Sequence, residues 1–337
     1  MIRRANMIFI QPKSTDAALH FASEEYCMTA LGQTQDIFML WQTDRCAMLG
    51  SNQIAQDEID LNLTKQHDVQ IVRRSSGGGT IYTDHGTLLC TLITPFTPGD
   101  DAKEIGRTRL AEPIIAALKK IGIHAEVKGR NDMLLDGKKI SGLAQRLGKN
   151  CLCSHCSILF DADLSILEKI LTVDESKMKN KGISSVRSRV TNIQEHLPTK
   201  HTTQEFKGLL IQALSEIMPL DRYEFSPAEL SQIEKIQKEK YTNPLWTFRT
   251  NANFTHHNEK RLPLGKVEVY LEIKDGIIAS CSICGDFLSI KPIEELEKLL
   301  VNKVFDKTAL TAYLSTVDLL AYLGGISADE FVSVLFS

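Results

Sequence analysis

Val72-Arg73-Arg74-Ser75-Ser76-Gly77-Gly78-Gly79-Thr80-Ile81-Tyr82-Thr83-Asp84 is the stretch on which the fold turns. Val69-Gln70-Ile71-Val72 leads into it as a strand, and Thr80-Ile81-Tyr82, then residues 88–93, lead out as further strands. Three consecutive glycines between strands remove three Cβ atoms, so another group can approach the main chain closely. Arg73 and Arg74 add a cationic fork suited to a carboxylate or a phosphate. No Gly-Lys-Ser/Thr follows and no helix begins there, which excludes a P-loop and a dinucleotide fingerprint. The plainer alternative is a Gly-rich hairpin carrying solvated arginines.

A second constellation lies downstream, at Gly129-Arg130-Asn131-Asp132-Met133-Leu134-Leu135-Asp136-Gly137-Lys138-Lys139-Ile140-Ser141-Gly142. Asp136-Gly137 between two apolar runs is a strong hairpin signal. A two-residue turn there pairs Leu135 with Lys138, Leu134 with Lys139, and Asp132 with Ser141. Asp132, Lys139 and Ser141 then share one face, with Met133 and Ile140 on the apolar one. Lys139 beside Asp132 is either an ordinary ion pair or a catalytic centre.

The chain has 337 residues, enough for about two domains by the usual length prior. Its 43% hydrophobic and 24% charged content is that of an ordinary soluble globular protein. A net charge of −3 argues against general nucleic-acid binding. The N-terminus has no apolar leader pattern, and no run reaches the ~18 apolar residues that span a bilayer; a cytoplasmic location is expected. Of the eight cysteines, Cys27, Cys46 and Cys90 read as small core residues. Cys151, Cys153, His155 and Cys156 with Cys281 and Cys284 invite a zinc reading. The strand pattern, however, points Cys281 and Cys284 to opposite faces, and free thiols are expected.

Along the chain, Ser14 or Thr15 caps a helix running to about Ala30. Residues 38–41 and 46–50 read as strands paired around a polar turn. Residues 103–121 look helical, with Pro113 breaking or kinking the pattern. Residues 177–189, rich in Lys and Arg around Ser184-Ser185, read as a solvated charged segment. The composition restarts near Asn251, giving domains 1–250 and 251–337. The second reads as two strands across Lys274-Asp275-Gly276 followed by short amphipathic helices, a packing module without catalytic residues.

Taken together, the glycine stretch, the Gly129–Gly142 hairpin and Lys181-Gly182-Ile183-Ser184-Ser185-Val186-Arg187-Ser188-Arg189-Val190-Thr191-Asn192 resemble lipoate–protein ligases of the bacterial A type, in that order and over essentially the whole chain. The resemblance implies the α/β (α+β) core of the biotin/lipoate ligases. That core is a mixed, mostly antiparallel sheet flanked by helices, with a small α+β C-terminal accessory domain. It implies activation of lipoate by ATP to lipoyl-AMP, with Mg²⁺, and transfer to a lysine of an acceptor domain such as the H protein or an E2 subunit. It assigns Lys139 as the essential lysine and Asp132 as the Mg²⁺ ligand. Arg74, Ser76, Gly77, Gly78, Gly79, Thr83, Thr87, Asn131, Ser141 and His155 are assigned to lipoate and lipoyl-AMP, and Arg74, Gly79, Ile81 and Lys139 to ATP. Thr83-Asp84-His85-Gly86-Thr87 stands where the family has His-Asp-x-Gly-Asn, and Ser154-His155-Cys156 where it has His-His-Gly. The rival readings are an octanoyl- or lipoyl-transferase of the same fold and a catalytically poor lipoyl-adenylate-binding or acceptor-docking protein. A thioester-using transferase would carry a cysteine before the lysine hairpin, where Val127-Lys128 stands.

Overall fold

Short apolar runs bounded by Gly, Asp and Pro become strands here, and the longer 3.6-residue patterns become helices. The structure, a computed structural model, describes residues 7–129, 131–171, 189–248 and 254–337. Arg130, residues 177–188 of the basic segment and the expected boundary at Asn251 lie outside the described residues.

The strands are β1 (Met7–Ile10), β2 (Ile37–Trp41), β3 (Cys46–Leu49), β4 (Gln70–Arg73), β5 (Ile81–Thr83), β6 (Thr87–Pro95) and β7 (Glu126–Lys128). They continue with β8 (Asp132–Leu135), β9 (Lys138–Leu147), β10 (Cys151–Leu159), β11 (Leu220–Arg222), β12 (His256–Leu262), β13 (Gly265–Lys274) and β14 (Ile277–Gly285). An eight-stranded sheet runs β11-β1-β2-β6-β10-β9-β8-β7. Its β1 pairs in parallel with β2 and β11; the other pairs are antiparallel. The sheet is therefore mixed and mostly antiparallel, as expected.

Period-two alternation sends the two faces of this sheet into different cores. Phe38, Leu40, Leu88, Cys90 and Leu92 pack with Ile114, Phe206 and Leu210 from two helices, Glu112–Lys120 and Thr203–Ser215. Ile37, Met39, Trp41, Leu89 and Ile93 pack under the helix α1 (Ala17–Ala30), through Phe21, Ala22 and Tyr26. The cap of α1 is Asp16, whose side chain accepts from the Ala18 N–H, one or two residues later than the sequence suggests. Pro113 falls in the first turn of Glu112–Lys120, where its missing N–H costs nothing. A π-turn over Arg107–Ala111 absorbs the break.

Two local pairings differ from expectation. β2 and β3 do not pair with each other: β2 sits inside the large sheet, and β3 is the centre of a small sheet ordered β4-β3-β5. The glycine loop consequently is not a hairpin loop, because β4 and β5 flank β3 on opposite sides and the loop passes over its end. In the lysine hairpin the turn forms as read, with φ of 50° at Asp136 and 77° at Gly137, the positive pair a tight hairpin turn requires. A bulge between Met133 and Leu134 then shifts the register, so Asp132 lies opposite Gly142 and Met133 opposite Ser141.

Beyond residue 254, β12-β13-β14 form an antiparallel sheet with its own core. Val267, Val269 and Leu271 pack against Leu296, Leu314, Phe331 and other residues of four short helices. The end of β14 and the residues after it reach back to the earlier part of the chain. Gly285 N donates to Asn52 O (2.8 Å), Gly78 N to Phe287 O (2.9 Å) and Leu147 N to Ile290 O (2.7 Å).

Candidate active site

The apolar side chains under α1 leave a cavity of about 190 Å³ open at the glycine loop. Its wall is Phe21, Trp41, Met48, Ile81 and Leu89, and its mouth carries Gly77, Gly78, Gly79, Asn131, Lys139 and His155. The chemistry-bearing residues come from the glycine loop between β4 and β5, from the entry to β8, and from strands β9 and β10.

Lys139 and Asp132 are both about one-third exposed, and their Nζ–Oδ1 separation is 2.7 Å. They share a face because Leu134 pairs with Lys139, and the β8–β9 bulge sets what lies opposite Asp132. With Gly142 opposite Asp132, the lysine arm lies across a residue with no side chain; a Cβ on Gly142 would stand 2.8 Å from Nζ. Asn131 is held from both sides, donating through Nδ2 to Leu143 O (3.0 Å) and accepting from Leu143 N (2.7 Å). Behind the lysine, Thr191 N donates to Lys139 O (3.1 Å), so the chain after the basic segment braces this strand.

Both arginines are spent inside the protein, Arg74 on the loop itself and Arg73 on the main chain beside it. Arg73 is fully buried and donates to the carbonyls of Gly50, Ser51, Trp246 and Thr247. Arg74 donates to Met48 O, Gly77 O and Gly79 O, and through Nε to Ser76 Oγ. Burial, and then the neighbouring Arg73 charge, pull Arg74 down to about 10. Its first action is to fix the glycine loop, and it lines the cavity from beneath.

From Arg74 a directional chain of hydrogen bonds runs under the cavity. Ser76 Oγ accepts from Arg74 Nε (3.1 Å) and lies 2.7 Å from His155 Nε2. His155 Nδ1 lies 3.3 Å from both Glu24 oxygens. Glu24 Oε1 also accepts from Thr91 Oγ1 (2.5 Å), which accepts from Trp41 Nε1 (3.0 Å). A carboxylate only accepts, so Nδ1 is the nitrogen that donates to Glu24, and Nε2 faces Ser76 Oγ. The indole of Trp41, part of the cavity wall, is thus tied to the same chain that orients His155.

A second network steadies the loop from outside. Glu25 accepts from Arg146, Lys240 and the Tyr241 hydroxyl, and Tyr241 Oη is 2.8 Å from Ser75 Oγ. Burial by itself would raise the Glu25 carboxyl, but Arg146 and Lys240 outweigh it and hold the group at about 2.

Of the residues expected from sequence, Arg74, Gly77, Gly78, Gly79, Ile81, Asn131, Lys139 and His155 meet at this cavity, with Asp132 on Lys139. Ser76 stands one layer behind, acting through His155. Thr83 and Thr87, expected at the acyl pocket, do not line it. Thr83 is buried with Oγ1 2.7 Å from Thr43 Oγ1, and Thr87 pairs with Leu159 at the far end of β6. Ser141 is displaced to the Met133 side by the bulge. The sequence reading missed Glu24, Phe21, Trp41 and Leu288. The first three sit in segments legible only as buried, and Leu288 comes from the second domain to cap the loop. All eight cysteines are free thiols; Cys153 is close to Glu24 and His155, whereas Cys281 and Cys284 lie in the separate C-terminal sheet.

Two family descriptions match the chain, "Lipoyl protein ligase A/B catalytic domain" over residues 16–215 and "Bacterial lipoate protein ligase C-terminus" over residues 251–335. The lipoate-protein ligase LplJ of Bacillus subtilis (strain 168) is 34% identical over 334 residues, covering 98% of this chain and 100% of the relative. The fold is shared with P. falciparum LipL1 in complex with lipoate, at a TM-score of 0.80 and 18% identity over 98% of this chain and 100% of that one. It is also shared with lipoate-protein ligase A bound with ATP, at a TM-score of 0.61 and 23% identity over 73% and 98%. With its catalytic core and its C-terminal module both matched, the chain belongs to the lipoate–protein ligase family.

Proposed function

We propose that this protein is an ATP-dependent lipoate–protein ligase. It converts lipoate to lipoyl-AMP with release of pyrophosphate, then passes the lipoyl group to a lysine of an acceptor domain of the H-protein or E2 type. The observation that carries this reading is the Lys139–Asp132 pair at the mouth of an apolar cavity, beside the glycine loop. The apolar wall suits an aliphatic chain with its carboxylate directed outward to Lys139. Attack of that carboxylate on the α-phosphorus gathers negative charge on the phosphoryl oxygens. A pre-placed ammonium there is worth several kcal/mol of transition-state stabilisation. Asn131 and the Gly77-Gly78-Gly79 main chain border the same space.

Mg²⁺ fits the residues present. Asp132 offers one partly exposed carboxylate, and this ion commonly takes one or two protein carboxylates with the rest of its shell from water and phosphates. When bound, it would neutralise phosphate charge. Asp132 would hold it and orient Lys139. In the second step the acceptor amine, with a pKa of ~10.4 in water, must arrive neutral, so docking in a less solvated site favours transfer.

We read residues 1–250 as the catalytic domain and 251–337 as an accessory domain whose Phe287-Leu288-Ser289 segment completes the loop. A cytoplasmic location is consistent with the ATP requirement and with eight free thiols. No helix among the described residues is long and apolar enough to cross a membrane. The test is pyrophosphate release on adding lipoate and ATP. Lys139→Ala should lose it while remaining folded, and Lys138→Ala, on the exposed face, should keep it. Near wild-type release by Lys139→Ala would remove the basis of this assignment.

A further inference from the structure

Beside the helix Thr203–Ser215 lies a second cavity, of about 440 Å³, sharing no lining residue with the active site. Lys207 projects into it from that helix and is 93% buried. Its Nζ donates to one acceptor, Gln42 Oε1 at 3.2 Å. The orientation of that amide is fixed, since Gln42 Nε2 donates to His85 O (2.9 Å) and Gln204 Nε2 donates to the same Oε1 (2.9 Å). Among the described residues no carboxylate pairs with Lys207. Burial lowers the Lys207 pKa, and the nearby Cys90 thiol, itself pushed up and neutral, supplies no countercharge.

That arrangement is out of keeping with the other buried cations. Arg146 and Lys240 share Glu25, and Arg73 and Arg74 fill their donors with main-chain carbonyls. An ammonium this deeply buried costs several kcal/mol unless countercharge or converging acceptors replace bulk solvent, and among the described residues the protein supplies one neutral amide oxygen. The cavity rim carries two further cations, Lys13 and Arg222, against one acid, the exposed Glu224. Lys13 follows β1, Arg222 ends β11 and Lys207 lies on a helix, so three separate elements converge on one space.

We propose that this cavity is a binding site for a phosphate-class oxyanion, with Lys207 as its buried cation and Lys13 and Arg222 closing over it. A tetrahedral group with three or more acceptor oxygens can bond several converging donors at once, which a planar carboxylate does less well. The volume admits more than a bare phosphate ion, so the phosphoryl group comes either as the free ion or as a phosphate ester.

The experiment uses the full-length protein without lipoate or ATP. Inorganic phosphate is titrated against sodium chloride at matched ionic strength and followed by calorimetry and melting temperature; glycerol phosphate is titrated in parallel. Expected is saturable binding that raises the melting temperature by mass action. It should be at least about tenfold weaker in Lys207→Met, as the loss of a charged hydrogen-bond donor requires. Lys139→Ala should leave it unchanged, which separates it from the active site. Tighter binding of one probe identifies the source as free ion or ester. Absence of saturation with both, or equal binding by Lys207→Met, overturns the proposal. Should Lys207→Met fail to fold, the exposed pair Lys13→Gln with Arg222→Gln decides: binding undiminished in that variant overturns it too.

Discussion

Replacing the three loop glycines by alanine, one at a time, should give three different phenotypes, because each position is glycine for a different reason. A Cβ on Gly77 would stand 2.6 Å from Ser289 N and 2.7 Å from Ser289 Oγ, against ordinary contacts of 3.4–4 Å. The loop and the second domain must therefore separate by about 1 Å. Overpacking of that kind costs roughly 1–3 kcal/mol. It also strains the Gly78 N to Phe287 O and Asn52 Nδ2 to Ser289 Oγ bonds, each worth about 1 kcal/mol. Gly77→Ala should weaken the domain contact by about 2–4 kcal/mol, seen as faster protease cleavage between the domains and separate melting of the C-terminal module. Gly78 has φ of 93°, so alanine there costs about 1–2 kcal/mol through the backbone itself. Gly79 has no atom within 4 Å of its added Cβ. Gly79→Ala should leave stability within about 0.5 kcal/mol of wild type, yet raise KM for ATP or lipoate, since the open space is where the substrates would lie. Unchanged KM and kcat in Gly79→Ala would show that no substrate approaches there. A Gly77→Ala protein as protease-resistant as wild type would refute the domain contact.

Asp132→Asn keeps the size of the side chain and removes the charge a hard cation needs. The Mg²⁺ concentration for half-maximal pyrophosphate release should rise steeply while lipoate binding changes little, and an unchanged Mg²⁺ titration would leave Asp132 as an ion-pair partner only. Glu25 makes a pH prediction: its folded pKa, about 2, lies below its ordinary value of 4.5. Its contribution, about 3 kcal/mol, is therefore fully present above pH 4.5 and lost as pH falls toward 2. Wild type and Glu25→Gln should differ in unfolding free energy at pH 6 and converge as pH approaches 2; a gap that does not shrink on acidification would contradict the assignment.

Where a local rule fixes an element, the sequence reading and the structure agree. Asp136-Gly137 forms its tight turn because few residue pairs tolerate two positive φ angles, here 50° and 77°. The bulge next to it has no comparable signal. Counting alternation from the turn put Ser141 on the lysine face, and one extra residue moved it off and brought Gly142 in. Strand partners across long separations were also illegible. Residues 38–41 and 46–49 are both short, fully buried apolar runs, and nothing local tells a hairpin from two strands entering different sheets.

The site divides in the same way. Lys139 and Asp132 were readable because four intervening residues and a turn fix their separation. Glu24 was not, because it reaches His155 across 131 positions of sequence from the buried face of α1. The arginines carry a further lesson about residue type. Two cations beside three glycines read as a clamp for an anion, yet their donors go first to carbonyls of Gly50, Ser51, Met48, Gly77 and Gly79. A loop without side chains cannot hold its own shape by packing, so something must bond its carbonyls, and a buried guanidinium can serve several from one position. On this reading Arg74 bears on catalysis through the rigidity of the loop and Arg73 through the main chain beside it, while Lys139, paired with Asp132, faces the space for substrate charge. The same residue pattern thus encodes a scaffold and a charge, and only the three-dimensional course of the carbonyls separates the two.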